Sequence, residues 1–338
     1  MKNFLIAVAV IFLIAGGAYT YLSYKNKDVS SIATTSPATS GKYVGKKILY
    51  VDSYYDDYDW SQGLTSGIKS VLDGTGVELK IVRMDTKRNP AEEFKKKAGE
   101  DAHLAIEVFK PDVLMVSDDN AFKYIIVPFY KDVALPVVFS GLNWDASLYG
   151  APYANTTGMI EISLTNQIID HLKTYARGNR IGYLSADTET ERKNLEYYGK
   201  LLNINFDKSY FVKNMAEWES AFLKLQNETD LVIFENNAGI LDWNSTTSAI
   251  YALANTKVPM GTTNPWIMDY SLLGITKIPE EQGQWQAEAA LKILDGTKPS
   301  EIPLVRNKRG NLMVNLKIAK ELGVIFNSSI LKNAQVIQ

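Results

Sequence analysis

The chain has no cysteine among its 338 residues. That excludes disulfides, thiol nucleophiles and cysteine-ligated zinc together, and it removes the acceptor residue of a lipoprotein-type lipid anchor. Histidine is almost as scarce. His103 and His171 both fall in helical patterns, and the one acidic neighbour, Asp170, is next in sequence to His171 and so points elsewhere on a helix. No Gly-x-x-x-x-Gly-Lys-Ser/Thr loop is present, and Gly74-Thr75-Gly76 lacks the rest of a dinucleotide fingerprint. Asp56, Asp57 and Asp59 do not have calcium-loop spacing and read as a solvated loop. Neither sign of charge is in excess: 36 Lys and Arg stand against 38 Asp and Glu, a net charge of −2. No basic face for nucleic acid is expected. Nor is a catalytic residue, a metal or a cofactor, so the chain does not read as an enzyme.

What the chain does contain is apolar and aromatic: 46% hydrophobic residues, with 19 Tyr, 12 Phe and 6 Trp. Its length favours two domains over one core. At the N-terminus Lys2 precedes an apolar run from Phe4 to Ala15, then Gly16-Gly17-Ala18. A charged start, an apolar core and small residues make a secretory signal. No charge appears from Asn3 to Tyr24. At about 1.5 Å per residue that stretch is also long enough to cross a bilayer of roughly 30 Å. Residues 1–24 therefore read as a cleaved signal peptide or a retained membrane anchor. Either way the remainder is exported. Residues 25–45, rich in Ser and Thr, read as a flexible tether.

From Lys46 onward strands and helices alternate, the signature of a parallel sheet covered on both faces. The first body has strands at 47–51, 77–84, 113–116 and 136–139. Helices are expected at 61–72, from Pro90 at a first-turn position to 109, and at 121–130. An extended piece, 152–160, looks like a connection between two bodies. The second body repeats the plan, with strands at 180–184, 209–212, 231–234 and 258–260 and helices between them. A further segment, 272–278, reads as a strand crossing back, followed by a helix over 280–294. The fold class is α/β, two Rossmann-like lobes with parallel sheets joined by a hinge.

Six strand ends carry similar chemistry. They are Ser53 and Tyr54; Ser117, Asp118, Asp119 and Asn120; Ser140, Asn143 and Trp144; Ser185 and Asp187; Glu235, Asn236 and Asn237; and Thr262, Thr263, Asn264 and Trp266. Any one of these small polar residues is by itself an ordinary helix cap. Six sets at the carboxyl ends of strands in two matched bodies suit a cleft for a small polar ligand. Asp118, Asp119 and Glu235 could accept from an ammonium. Hydroxyls of Ser53, Ser140, Thr262 and Thr263 could donate to a carboxylate, and Tyr54, Trp144 and Trp266 could cover an apolar body. An amino acid is the leading ligand.

Three stretches carry a resemblance to a known family: PVVFSGLNWD…YGAPYANTTGMIE, EEQGQWQAEAALKILDGTKPSEIPL and VNLKIAKELGVIF…ILKNAQVI. They resemble the substrate-binding components of ABC transporters with a type I periplasmic-binding-protein fold, in the subgroup that includes tryptophan- and tyrosine-type binders. The resemblance covers roughly residues 46–337. It implies two lobes joined by three crossovers, with 46–157 and about 272–298 in the first and 158–271 and about 299–338 in the second. It also implies an exported monomer that captures a small organic solute between its lobes and hands it to a membrane permease. The alternative is a membrane-tethered sensory domain that reports ligand occupancy to a partner.

Overall fold

Ile48–Val51 and Val113–Val116 are apolar without alternation, as strands with both faces covered must be. In the computed structural model both lie in strands buried along almost their whole length. The structure describes residues 40–338 and the backbone of Ala33–Thr34. The expected export segment, 1–24, and most of the tether lie outside the described residues. The described parts of the tether are not free chain. Strand β1 (Ala33–Thr34) pairs antiparallel with β3 (Glu78–Arg83). Tyr43 joins the core at 9% exposure, its N–H bonded to the Thr75 carbonyl at 2.9 Å and its hydroxyl to Asp295 at 3.0 Å. A tyrosine that buries its ring and satisfies its polar end fixes the chain there. Among the described residues no helix is long and apolar enough to cross a membrane.

The chain divides into two compact units. The first runs to Met159 and takes in Gln282–Val305; the second is Ile160–Glu281 with Arg306–Gln338. The chain thus passes between units three times, as the type I fold implies. The return falls later than expected. β11 (Leu273–Lys277) stays in the second unit, where it pairs parallel with β10 (Met260–Thr262) and antiparallel with β13 (Gly310–Asn315). Its apolar residues complete that sheet, and only the following helix leaves.

The first unit contains, in order, β2 (Lys47–Asp52), α1 (Asp59–Leu72), β3, α2 (Glu92–Phe109), β4 (Val113–Ser117) and α3 (Asp118–Ala121). The chain continues from α3 as a π-helix over Phe122–Tyr130, then β5 (Val137–Asn143) and β6 (Thr156–Glu161). Its sheet order is β1-β3-β2-β4-β5-β6-β12, where β12 is Val305–Arg306. Three details depart from expectation. Pro90 lies before α2, whose N-cap is the extended Ala91. The third helix opens at Asp118, so Asp118, Asp119 and Asn120 form its first turn and not a preceding loop. The connection after Pro152 becomes a strand of the first sheet.

The second unit contains α4 (Thr165–Lys173), β7 (Ile181–Ala186), α5 (Glu189–Leu202), β8 (Lys208–Val212) and α6 (Met215–Glu228). β9 (Leu231–Phe234), α7 (Ser245–Asn255), β10 and β11 follow. Its sheet order is β14-β13-β11-β10-β9-β7-β8, with β14 at Gln335–Ile337. The core is aromatic: fully buried Trp218 packs on Phe222 and on Trp243, at ring-centroid distances of 5.3 Å and 5.0 Å.

Helix α8 (Pro279–Leu294) carries the chain back to the first unit, and Ala287, Ala289, Ala290 and Ile293 fill that unit's core. The approach to α1 is so close that a Cβ on Gly283 would lie 2.1 Å from the Leu64 carbonyl oxygen. Backbone cannot yield as a side-chain tip does. Gly283→Ala is therefore expected to destabilise the protein by roughly 1–3 kcal/mol. A urea midpoint unchanged from the parent would refute this packing.

Candidate functional site

A doubly wound sheet has one point where neighbouring strands lead their connections in opposite directions, and ligands bind outside the carboxyl ends there. In the first sheet the chain steps from β2 out to β3 and returns to β4, which places this point between β2 and β4. In the second it lies between β7 and β9. A serine bridges each. Ser53 Oγ donates to the Ser117 carbonyl at 2.6 Å, and Ser185 Oγ donates to the Asn236 carbonyl at 3.2 Å.

In the first unit these bonds gather the candidates from β2, β4 and β5. Ser53 is fully buried and also accepts from the Ala121 N–H at 2.8 Å, so it caps α3 from a neighbouring strand. The Ser117 and Ser140 hydroxyls lie 3.0 Å apart, and Ser140 reaches Gln286 Oε1 at 3.2 Å. The Gln286 amide nitrogen donates to the carbonyls of Val116 and Val138 at 2.9 Å and 2.8 Å. Ser53, Ser117 and Ser140 were expected to meet a ligand. Their hydroxyls are instead engaged inside the fold, because buried strand ends leave polar groups that need partners.

Asp118 is different. It is 3% exposed and sits in the left-handed region at φ 69°. Its Oδ1 accepts from the Trp60 indole at 3.2 Å. Gly141 presses on the same carboxyl; a Cβ there would come within 2.9 Å of Oδ1, and its own φ is +73°. Trp144, 8% exposed, is also left-handed, at φ 65°. Strained residues persist only where their surroundings over-determine them. Asp119 accepts from Asn143 Nδ2 at 2.7 Å and from the Tyr149 hydroxyl at 2.8 Å. Burial, then the Asp119 charge, pushes the Tyr149 phenol well above its ordinary range, which keeps it a donor. Asn120 donates to Thr86 at 2.9 Å. Half-buried Tyr54 stands on its own N–H bond to Asp52 Oδ1, at 3.0 Å. Asp52 is in turn paired with Arg83, which also reaches Asp56 and Thr65 at 2.8 Å and 3.0 Å.

In the second unit Glu235 is the centre. It is 2% exposed, and it accepts from the hydroxyls of Tyr198 at 2.7 Å and Thr263 at 2.5 Å. Asn264 Nδ2 donates to its carbonyl and, at 3.3 Å, to its carboxylate. Burial pushes the carboxyl up to about 7. Glu235 was expected to accept from a ligand, but protein donors reach both its oxygens, and Thr263's proton is engaged with it. Thr262 is buried and accepts from the Asn264 N–H at 3.0 Å. Asn236 donates to Glu191 at 3.2 Å, and Asn237 is half-buried beside it. Asp187 is held by Arg192 at 2.7 Å and Lys213 at 3.6 Å, apart from the Glu235 group. Trp266 is 55% exposed, so it serves no core.

Sequence reasoning missed Trp60, Arg83, Glu191, Tyr198 and Gln286. Trp60 had a signal: an indole at a helix start between acidic residues and Ser61 has no apolar stripe to join. Gln286 had none.

Residues 61–337 match the family described as ABC transporter substrate binding protein. No curated relative matches the chain by sequence. Among solved structures, the ligand-free, open form of CD0873, a substrate binding protein with adhesive properties from Clostridium difficile, is 16% identical with a TM-score of 0.64. It covers 87% of this chain and 99% of its own. An ABC domain from Streptococcus pneumonia in complex with L-Trp is 17% identical with a TM-score of 0.50, covering 86% and 100%. A periplasmic ribose ABC transporter from Conexibacter woesei is 14% identical with a TM-score of 0.51, covering 88% and 100%. At these identities the structures establish the type I periplasmic-binding-protein fold. With the family match running over most of its length, the chain belongs to the ABC transporter substrate-binding proteins.

Proposed function

We propose that the protein is an exported, monomeric solute-binding protein that captures a small molecule with an ammonium head and an apolar part, an amino acid first, and delivers it to an ABC permease. Family membership supports solute capture, and one structural neighbour was solved with L-Trp bound. The N-terminal charge and apolar run support export. The observation that carries the ligand class is Asp118. A carboxylate held in a strained backbone beside the switch point, pressed by Gly141 and oriented by Trp60, is preorganised for a cation. Trp144 stands two strands from β2, on the same carboxyl edge, as apolar cover.

A thermal-shift screen over amino acids, sugars, purines and oligopeptides tests the class, because a ligand of the folded state raises the melting temperature. We expect an amino-acid hit. Asp118→Asn is expected to weaken that hit about ten- to a hundredfold, the range of a hydrogen bond to a charged group. A sugar or nucleoside hit without any amino acid would sink the ligand class. Unchanged affinity in both Asp118→Asn and Trp144→Ala would sink the site.

A further inference from the structure

The loops after β2 and β3 gather one strand-end residue, Tyr54, with two residues outside the strand-end sets, Tyr58 and Lys87. The rings of Tyr54 and Tyr58 meet edge to face, 5.5 Å between centroids and 86° between planes. The Lys87 ammonium stands over both, 5.0 Å from the Tyr54 centroid and 4.5 Å from that of Tyr58. The neighbouring Arg88 covers Tyr55 at 4.1 Å, but Asp85 grips its guanidinium at 2.7 Å and 2.8 Å. Lys87 is exposed and pairs with no carboxylate among the described residues. An alkylammonium on a flexible stem would ordinarily stay in water. Here it lies in the corner of two perpendicular rings, whose negative faces supply the attraction a carboxylate would otherwise give.

We propose that the Tyr54–Tyr58 corner is a binding site for the alkylammonium group of a ligand, and that Lys87 is its resident occupant, displaced when the ligand binds. Tyr54 directly follows Ser53 at the switch point, so the corner narrows the solute class to organic cations; in this it rests on the proposed function. The Tyr54 and Tyr58 rings form the walls, and Lys87 marks the position of the charge. A tethered occupant lowers the apparent affinity of a free one by the fraction of time it fills the site. Removing it opens the corner without touching either wall.

The test titrates the full chain with choline and with its uncharged isostere, in which carbon replaces nitrogen, followed by calorimetry and by the fluorescence of nearby Trp60. Choline is expected to saturate and the isostere not to. Lys87→Ala is expected to tighten choline about three- to tenfold, since the competitor is gone. Tyr58→Leu is expected to weaken it at least about tenfold, and Tyr58→Phe, which keeps the ring, to stay within about twofold of the parent. Equal binding of the isostere, or no tightening in Lys87→Ala, would overturn the proposal. An amino-acid hit sensitive to Asp118→Asn but indifferent to Tyr58→Leu and Lys87→Ala would overturn the corner and leave the strand-end site standing. Choline binding with the stated Tyr58 and Lys87 effects, but with no solute affected by Asp118→Asn, would uphold the corner and remove the strand-end reading.

Discussion

Replacing Arg83 by methionine is expected to cost about 3–5 kcal/mol of folding stability, the cost of leaving a buried charge without its partner. Asp52 is fully buried and Arg83 nearly so. Burial holds the Asp52 carboxyl above its ordinary value of 3.8 even though Arg83 pulls the other way. Desolvation therefore outweighs attraction in this pair. Without Arg83 the carboxyl rises further and takes up a proton. A group raised in the folded state contributes stability below its unfolded value and loses it as pH climbs through the folded one. The deficit of Arg83→Met should thus be larger at pH 8 than at pH 5. The double variant Asp52→Leu with Arg83→Met removes both charges and should recover most of the loss. Urea unfolding of the parent and the two variants at the two pH values checks this. A single variant within about 1 kcal/mol of the parent at pH 8 would show that the pair is dispensable.

The second large effect lies at Glu235. Its carboxyl is near 7 when folded, against an ordinary 4.5. The folded state holds an extra proton between those values, so this group's contribution is complete below 4.5 and is lost as pH rises through 7. The difference corresponds to roughly 3 kcal/mol. Titrating and charged neighbours surround it: Tyr198 and Glu191 on α5, Tyr183 on β7, and Lys277 on β11, itself paired with Glu161 on β6. Burial keeps both phenols neutral through this range. Glu235→Gln cannot titrate. Its melting temperature minus the parent's should therefore rise between pH 5 and pH 8. Against the neutral acid, the amide presents two N–H donors where the acid presents one O–H to the Tyr198, Thr263 and Asn264 group, and that adds an offset common to both pH values. A difference that stays flat with pH would assign the dependence to other groups.

The two predictions rest on residues of unequal visibility in the sequence. Strands such as Leu231–Phe234 were legible because a parallel strand buried on both faces is a continuous apolar run. Their polar ends were legible because the run stops where the chain leaves the sheet. Direction was not legible. Ser53 and Asp118 look alike as polar residues after apolar runs, yet one points its hydroxyl into the fold and the other is held in a left-handed backbone. That difference arises from Gly141 and Trp60, which reach Asp118 from elsewhere in the chain. Gln286 lies in a helix whose pattern, Trp285 and the alanines included, reads as ordinary packing. Only the tertiary fold brings its amide to the carbonyls of Val116 and Val138. The π-helix over Phe122–Tyr130, which contains Pro128, likewise has no periodic signature of its own.

The late return of α8 has a consequence for the order of assembly. The first unit's core lacks Ala287, Ala289, Ala290 and Ile293 until that helix has been synthesised. Joining Met159 to Gln282 across an unfolded insert of about 120 residues would cost on the order of 4 kcal/mol in chain entropy. Once the second sheet has formed, the Lys277–Glu161 ion pair holds the two ends of the insert together, and the long loop becomes a short one. Nucleation is thus easier in the second unit, whose Trp218 cluster lies within one uninterrupted stretch of chain, and the first unit, though its synthesis begins earlier, must wait for α8 to fill its core.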